Sequence, residues 1–202
     1  MRKLIVSMNV TLDGFLSGPD CELDWHFQRW TSDMAECACE QLSKADTILL
    51  GRVTYNAMAR YWTAKLHDLS FPREDLAFAD MMHRYTKFVF SHTSQIPPWN
   101  NAIRIKGNLA AAIVQLKQQP GKDMIMYGSA SIVAVLMSMN LVDEYQVWVH
   151  PVVLGKGKAL FKNVSRQLDL QLYKTHIFRS GVAMLCYNAN KQVDTYLRLV
   201  NA

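Results

Sequence analysis

Two short stretches hold the residues best suited to chemistry, Gly51-Arg52-Val53-Thr54 and Gly128-Ser129-Ala130-Ser131. Each follows an apolar run of strand length and precedes a segment with helix-like apolar spacing. A strand, a tight turn and a helix in that order gather unsatisfied backbone N–H groups and the positive end of the helix dipole at one point. A phosphate is the natural guest, and a glycine in the turn lets it approach the backbone closely. Arg52 adds a guanidinium able to hold a phosphate through two bonds, and Thr54 adds a hydroxyl. Taken singly, each turn reads more simply as an ordinary strand-to-helix connection, with Arg52 a surface charge or helix-cap partner.

Other polar residues fall at strand ends, where open α/β sheets bind ligands. Asp13 follows the apolar run Leu4 to Leu12 and precedes Gly14, so it is either a ligand-facing carboxylate or a turn residue bonding its own backbone. Ser91, His92 and Thr93 close the run Lys87 to Ser91 and offer hydrogen bonds, or alternatively begin a solvated loop. Trp25 and Trp30 lie in the stretch Asp20 to Trp30, read as a loop, and either cover a flat ring or pack onto the core.

Several function classes are disfavoured. The four cysteines, Cys21, Cys37, Cys39 and Cys186, have no zinc or redox spacing, and the six histidines show no ligand pattern, so no metal is expected. A net charge of +5 is spread along the chain without an arginine-rich run, which argues against a nucleic-acid partner. There is no apolar run of membrane-spanning length, and the N-terminus makes a poor signal peptide because Asn9, Thr11 and Asp13 break its apolar part. A cytoplasmic protein acting on a small molecule is the expectation.

The elements that must position these residues follow from pattern and punctuation. Strands are expected at Leu4 to Leu12, Asp46 to Leu50, Lys87 to Ser91, Ile103 to Ile105, Asp123 to Tyr127 and Glu144 to Leu154, the last interrupted by Pro151 and therefore bulged or at an edge. Leu168 to Phe178 and Val182 to Asn188 form a hairpin about Arg179-Ser180-Gly181. Helices are expected from Ser32 or Asp33 to Lys44, over Asn56 to Tyr61, over Arg73 to Arg84 and from a cap at Asn108 to about Gln119, with a last one opening at Ser131; a loop is expected from Trp62 to Pro72. This order implies an α/β fold, a mainly parallel sheet with helices on both faces and an antiparallel C-terminal hairpin. In one such sheet both glycine turns open on the same edge, and two helix N-termini facing one crevice suit a diphosphate. The usual Gly-x-Gly-x-x-Gly dinucleotide fingerprint is absent, and Gly155-Lys156-Gly157-Lys158 lacks phosphate-loop spacing and reads as a turn.

The chain from about Lys3 to Asn188 resembles the dihydrofolate-reductase-like superfamily, specifically the reductase domain of bacterial riboflavin biosynthesis (RibD C-terminal domain) and its stand-alone relatives. The resemblance rests on Thr11-Leu-Asp-Gly14, Leu50-Gly-Arg-Val-Thr-Tyr55, Tyr127-Gly-Ser-Ala-Ser131 and His150-Pro-Val-Val-Leu-Gly-Lys-Gly157 with Phe161, in that order. It implies a dihydrofolate reductase-like three-layer α/β/α domain over residues 1–189, a tail over 190–202, a homodimer, and an NADPH-dependent reductase. Gly51, Arg52, Val53, Thr54, Gly128, Ser129, Ala130 and Ser131 would hold the diphosphate, with Arg52 and Ser91 toward the adenosine 2′-phosphate and His92 and Val10 also on the cofactor side. Asn9, Asp13, Trp25 and Tyr55 would line the substrate side, with Asp13 the one carboxylate nominated for catalysis. Hydride would pass from the nicotinamide to a C=N or C=O carbon of a heterocyclic, ribosylamino-pyrimidine or pterin-like substrate. The zinc signature of the fused deaminase is missing, so only the reductase half of the riboflavin enzyme is implied. A nucleotide-binding or regulatory protein of the same fold without turnover is the alternative.

Overall fold

The computed structural model describes residues 1–65, 75–91, 95–162, 164 and 167–190. In chain order the elements are β1 (Leu4–Thr11), β2 (Phe15–Ser17), α1 (Asp24–Phe27), α2 (Ser32–Ser43), β3 (Ala45–Gly51), α3 (Arg52–Lys65), α4 (Leu76–Arg84), β4 (Thr86–Phe90), β5 (Ala102–Ile105), α5 (Leu109–Gln118), β6 (Asp123–Tyr127), α6 (Ala130–Ser138), β7 (Glu144–His150), β8 (Lys158–Ala159), β9 (Leu170–Ile177) and β10 (Ala183–Ala189). The main sheet runs β5-β4-β3-β6-β1-β7-β10-β9. Its first six strands are mutually parallel, and β10 is antiparallel to both β7 and β9.

Burial on both faces explains the nearly continuous apolar strands. Leu4, Val6, Met8 and Val10 of β1 point to one face, where Ile113 and Leu116 of α5 and Val133 and Leu136 of α6 cover them. Ile48, Leu50 and Ile125 point to the other, under Leu42 of α2, Tyr55 and Ala59 of α3 and Met81 and Met82 of α4. Further along that second face, Met34 and Ala38 of α2 pack on Trp148, Met184 and Cys186. The result is the expected three-layer α/β/α arrangement with a mixed sheet and a C-terminal hairpin. Asn108 caps α5 as its sequence predicts, its Oδ1 accepting from Ala110 N and Ala111 N at 2.9 and 3.1 Å.

Four local expectations are corrected. Helix α3 starts directly at Arg52 and runs to Lys65, so the predicted loop begins too early and the predicted helix too late. The 20–30 stretch, expected as a loop, contains the single turn α1, and Trp25 is buried. Pro151 does not interrupt a strand: β7 ends at His150, and it lies inside the sheet between β1 and β10. Finally, β2 pairs with β8 in a small second sheet that three- and two-residue strands could not announce by pattern. The part of the predicted tail over 191–202 lies outside the described residues, as do Arg73 and Glu74 of the helix expected over Arg73 to Arg84.

One core residue is unexpected. Lys87 is fully buried, and its ammonium donates to the carbonyls of Met82, His83 and Tyr85 at 2.7, 3.0 and 2.7 Å. It thereby satisfies carbonyls left open at the end of α4, while the Trp99 ring lies 4.7 Å from the charge.

Candidate functional site

The parallel strands end along one edge at uneven heights. Ser7 of β1 pairs with Tyr127, the last residue of β6, and β1 then runs on to Thr11 beside His150, the last residue of β7. On the other side of β6, Leu50 pairs with Tyr127 and Gly51 ends β3. The edge therefore drops in a step from the β1/β7 ends to the β3/β6 ends. Both glycine turns lie at the foot of that step, at a crevice outside the carboxyl ends of the strands.

The two turns are clasped together. A Cβ added to Gly51 would collide with Oγ and Cβ of Ser129, and one added to Gly128 would collide with Oγ1 and Cγ2 of Thr54. Gly128 also has φ +63°, and Ser129 follows it at φ +65°, so two successive left-handed residues swing the chain from β6 into α6. Helix α3 reaches the edge from one face of the sheet and α6 from the other. Their first N–H groups lack intrahelical acceptors by construction, and both positive dipole ends meet where the turns touch. Arg52 and Val53 are exposed, Thr54, Ser129 and Ala130 are half-buried, and Ser131 is exposed. Arg52 makes no ion pair among the described residues. Ser91 follows directly on β4, the next strand along the same edge, and His92 lies outside the described residues.

At the high side of the step Asp13 is held firmly. Its carboxylate accepts from Thr11 Oγ1 at 2.6 Å, from Gly155 N at 2.7 Å and from Leu154 N at 3.1 Å. The Thr11 bond chiefly holds the carboxyl below its usual range; desolvation opposes it, and the Gly155 and Leu154 amides add to the lowering. Asp13 thus stays ionised and ties the end of β1 to the 154–155 turn. Such a group anchors; it offers no proton at neutral pH.

Two nominated residues point elsewhere. Tyr55 is fully buried against Trp99, with its hydroxyl donating to Pro97 O at 2.5 Å, because a helix that starts at Arg52 turns its fourth residue toward the sheet. Val10 packs into the core under α5 and α6, leaving only its backbone at the edge. Asn9, on the opposite face of β1, meets His150 Nε2 through Oδ1 at 2.9 Å. Trp25 lies edge-on to the same imidazole, ring centroids 4.9 Å apart. The structure therefore brings Ser91, the two clasped turns, Asp13, Asn9 and Trp25 to one edge, and removes the Tyr55 and Val10 side chains from it.

The family model of the RibD C-terminal domain matches residues 2–184. The chain belongs to that family. It is 37% identical over 189 residues to the uncharacterized protein YyaP of Bacillus subtilis (strain 168), covering 94% of this chain and 96% of the relative. Among solved structures it is similar to a putative riboflavin biosynthesis protein from Shewanella sp. PV-4, with TM-score 0.73, 20% identity, and 94% and 99% of the two chains covered. It is also similar to dihydrofolate reductase from Enterococcus faecalis complexed with NADP(H), with TM-score 0.59, 10% identity, and 94% and 97% covered. The dihydrofolate reductase-like fold is thereby shown for this RibD C-terminal domain.

Sequence reasoning passed over His150 and His26. In this RibD C-terminal domain His150 is fully buried at the end of β7, and His26 packs on it with ring centroids 5.4 Å apart. Burial pulls each imidazole down to about 4, and for His150 the neighbouring His26 and Arg29 add to the effect, so both are neutral. The signal was available in the motif that begins at His150, which ends an apolar strand on the ligand edge. Among the described residues no group of three or more His, Cys, Asp or Glu could hold a metal, and no helix is long and apolar enough to cross a membrane.

Proposed function

We propose that this protein is an NADPH-dependent reductase of a small heterocyclic, ribosylamino-pyrimidine or pterin-like substrate. The observation that carries the proposal is the clasp of the 51–54 and 128–131 turns, which brings two helix N-termini to one point at the foot of the step, beside an exposed Arg52 that has no ion pair among the described residues. The donor set fits a diphosphate: backbone N–H groups of α3 and α6, the Arg52 guanidinium, and the hydroxyls of Thr54, Ser129 and Ser131, with Ser91 assigned toward a 2′-phosphate and His92 also on the cofactor side. When bound, NADPH supplies the hydride that reduces a C=N or C=O carbon. The chain's own residues bind, orient and exclude water. Asn9 and Trp25 border the substrate side, and Asp13 acts there as a charged anchor of the β1 end, so the proton follows from water.

Titration with NADPH, read by fluorescence or calorimetry, tests the cofactor. Arg52→Ala should weaken NADPH binding by roughly tenfold or more, the worth of a charge-assisted pair of bonds. Absence of binding at millimolar NADPH, or affinity indifferent to Arg52→Ala, would refute it. The reading without turnover draws on Asp13, which is bonded as an anion rather than poised as an acid; it requires binding with no NADPH oxidation across pterin and ribosylamino-pyrimidine substrates. A homodimer in the cytoplasm completes the proposal. It is supported by the outer strand β9, where Leu172, Tyr173 and Ile177 are exposed, and sedimentation at monomer mass would remove it.

A further inference from the structure

Only one nitrogen of the buried His150 ring is in use. Nε2 is bonded to Asn9 Oδ1, while Nδ1 is buried without a partner. The indole that covers it, at an interplanar angle of 79°, has the same defect: Trp25 Nε1 is also buried without a partner. Because Asn9 presents an oxygen, the His150 proton lies on Nε2 and Nδ1 is a bare acceptor, whereas an indole N–H can only donate. Buried polar atoms are nearly always paired, and leaving them unpaired costs stability. Two orphans of opposite sense in adjoining rings at the ligand edge therefore call for a partner that is both donor and acceptor.

The cover over His150 is a single turn held by ring contacts. Trp25 belongs to a four-residue helix whose N-cap makes no side-chain bond, and Leu23, Asp24, Phe27 and Gln28 around it are exposed. Moving that turn parts the ring contacts of Trp25 and His26 with His150 and of Phe27 with Tyr61, whereas His150 is fixed by β7 and by Asn9.

We propose that His150 Nδ1 and Trp25 Nε1 are the specificity-determining pair of the site, reading the amide-type edge, N–H beside C=O, of a neutral ring that enters at the end of β1 as the Trp25 indole moves aside. The ligand N–H donates to His150 and its C=O accepts from Trp25. His150 thereby acquires a role in ring recognition and none in proton transfer. The inference rests on the reductase reading for placing a flat ring at this edge.

The test uses the full chain without cofactor, with uracil as probe and 1,3-dimethyluracil as the control that has no ring N–H. Binding is followed by calorimetry, and the side-chain ¹⁵N signals of His150 and Trp25 by NMR. Uracil should bind at least about tenfold more tightly than the control, one hydrogen bond to a buried acceptor, and should move both signals. His150→Phe, which keeps a ring but no acceptor, should reduce that ratio to near one. His150→Asn, which replaces Nδ1 with an amide oxygen, should restore part of it; Trp25→Phe should weaken uracil while leaving the His150 shift. Equal binding of the two probes, unmoved signals, or a preference surviving in folded His150→Phe would overturn the assignment. So would a high-resolution structure with uracil bound elsewhere and one water bridging Nδ1 to Nε1. An NADPH titration on the same samples separates the two readings: uracil discrimination without NADPH binding removes the reductase and keeps the pair, and NADPH binding without discrimination does the reverse.

Discussion

Gly128→Ala tests the clasp on which the site depends. The new Cβ would collide with Oγ1 and Cγ2 of Thr54 and lie 3.1 Å from its Cβ. Thr54 cannot easily yield, because a β-branched side chain in a helix has few χ1 choices and the next residue, Tyr55, is fixed in the core. Overpacking of this kind costs about 1–3 kcal/mol. The left-handed φ of +63° at Gly128 adds to it, at roughly 1 kcal/mol for a residue with a Cβ. The expected loss is about 2–4 kcal/mol, a fall in Tm of about 5–15 °C for a chain of this size. Urea unfolding followed by tryptophan fluorescence and circular dichroism gives the free energy. Thr54→Ala in the same chain removes the two colliding atoms and leaves the backbone strain, so the double variant should recover at least about 1 kcal/mol relative to the sum of the single losses. A loss under about 1 kcal/mol, or additivity within about 0.5 kcal/mol, would refute the interlock.

Gly51→Ala should cost less than Gly128→Ala, because Gly51 is not among the glycines of left-handed φ and adds no backbone strain to its clash with Ser129, and the loss should shrink in Gly51→Ala/Ser129→Gly on the same urea scale. Lys87→Met removes the ammonium from the Met82 and Tyr85 carbonyls and leaves His83 O with only Asn100 Nδ2, at 3.2 Å, and should cost about 2–4 kcal/mol in chemical unfolding. Burial pulls the Lys87 ammonium down to about 8 from an ordinary value of 10.5, so between those values the unfolded chain binds the proton that the folded one has lost; the difference between wild type and Lys87→Met should therefore grow as pH rises from 8 to 10.5. Asp13 has the opposite pattern: its carboxyl is held below the ordinary 3.8, so its contribution is present above that value and is lost as pH falls through the folded one. The Tm deficit of Asp13→Asn should accordingly be largest near neutral pH and vanish in acid, and a deficit that persists there would contradict the carboxylate staple.

The parts of the fold legible in the sequence are those with a long or repeated signal. The runs at Leu4, Asp46 and Asp123 became β1, β3 and β6 because strands buried on both faces must be apolar throughout, and the Arg179-Ser180-Gly181 turn fixed the hairpin. The two glycine turns could be assigned to one edge because parallel strands with short connections bring successive helix N-termini to the same side. The start of α3 was misjudged because Val53 and Thr54 are poor helix formers, and only the tertiary clasp shows that they lie in the first turn. The placement of Tyr55 failed with it, since the helix expected from Asn56 begins four residues earlier and takes Tyr55 into its first turn, facing the core. Lys87 in the core and the His150–Trp25 contact were beyond reach: both depend on partners 2 to 125 residues away that only the folded chain brings together.

The interlock also changes what the glycines say about a ligand. The absent Cβ of Gly128 faces Thr54 and that of Gly51 faces Ser129, so packing of α3 against the β6 turn requires both glycines whether or not an anion binds. Packing does not explain Arg52, which is exposed at the first position of α3 and unpaired among the described residues, beside N–H groups that already favour negative charge. A cation at a helix N-terminus opposes the dipole and lowers stability unless an anion is held there. Arg52→Gln should therefore raise the Tm of the protein alone while abolishing the further rise caused by NADPH. A glycine variant with reduced affinity would report only that the clasp had opened, whereas opposite signs from one exposed side chain, with and without the nucleotide, can come only from a site for negative charge at that turn. If Arg52→Gln leaves both melting temperatures unchanged, the positive end of α3 is ordinary surface, and the diphosphate assignment loses its support.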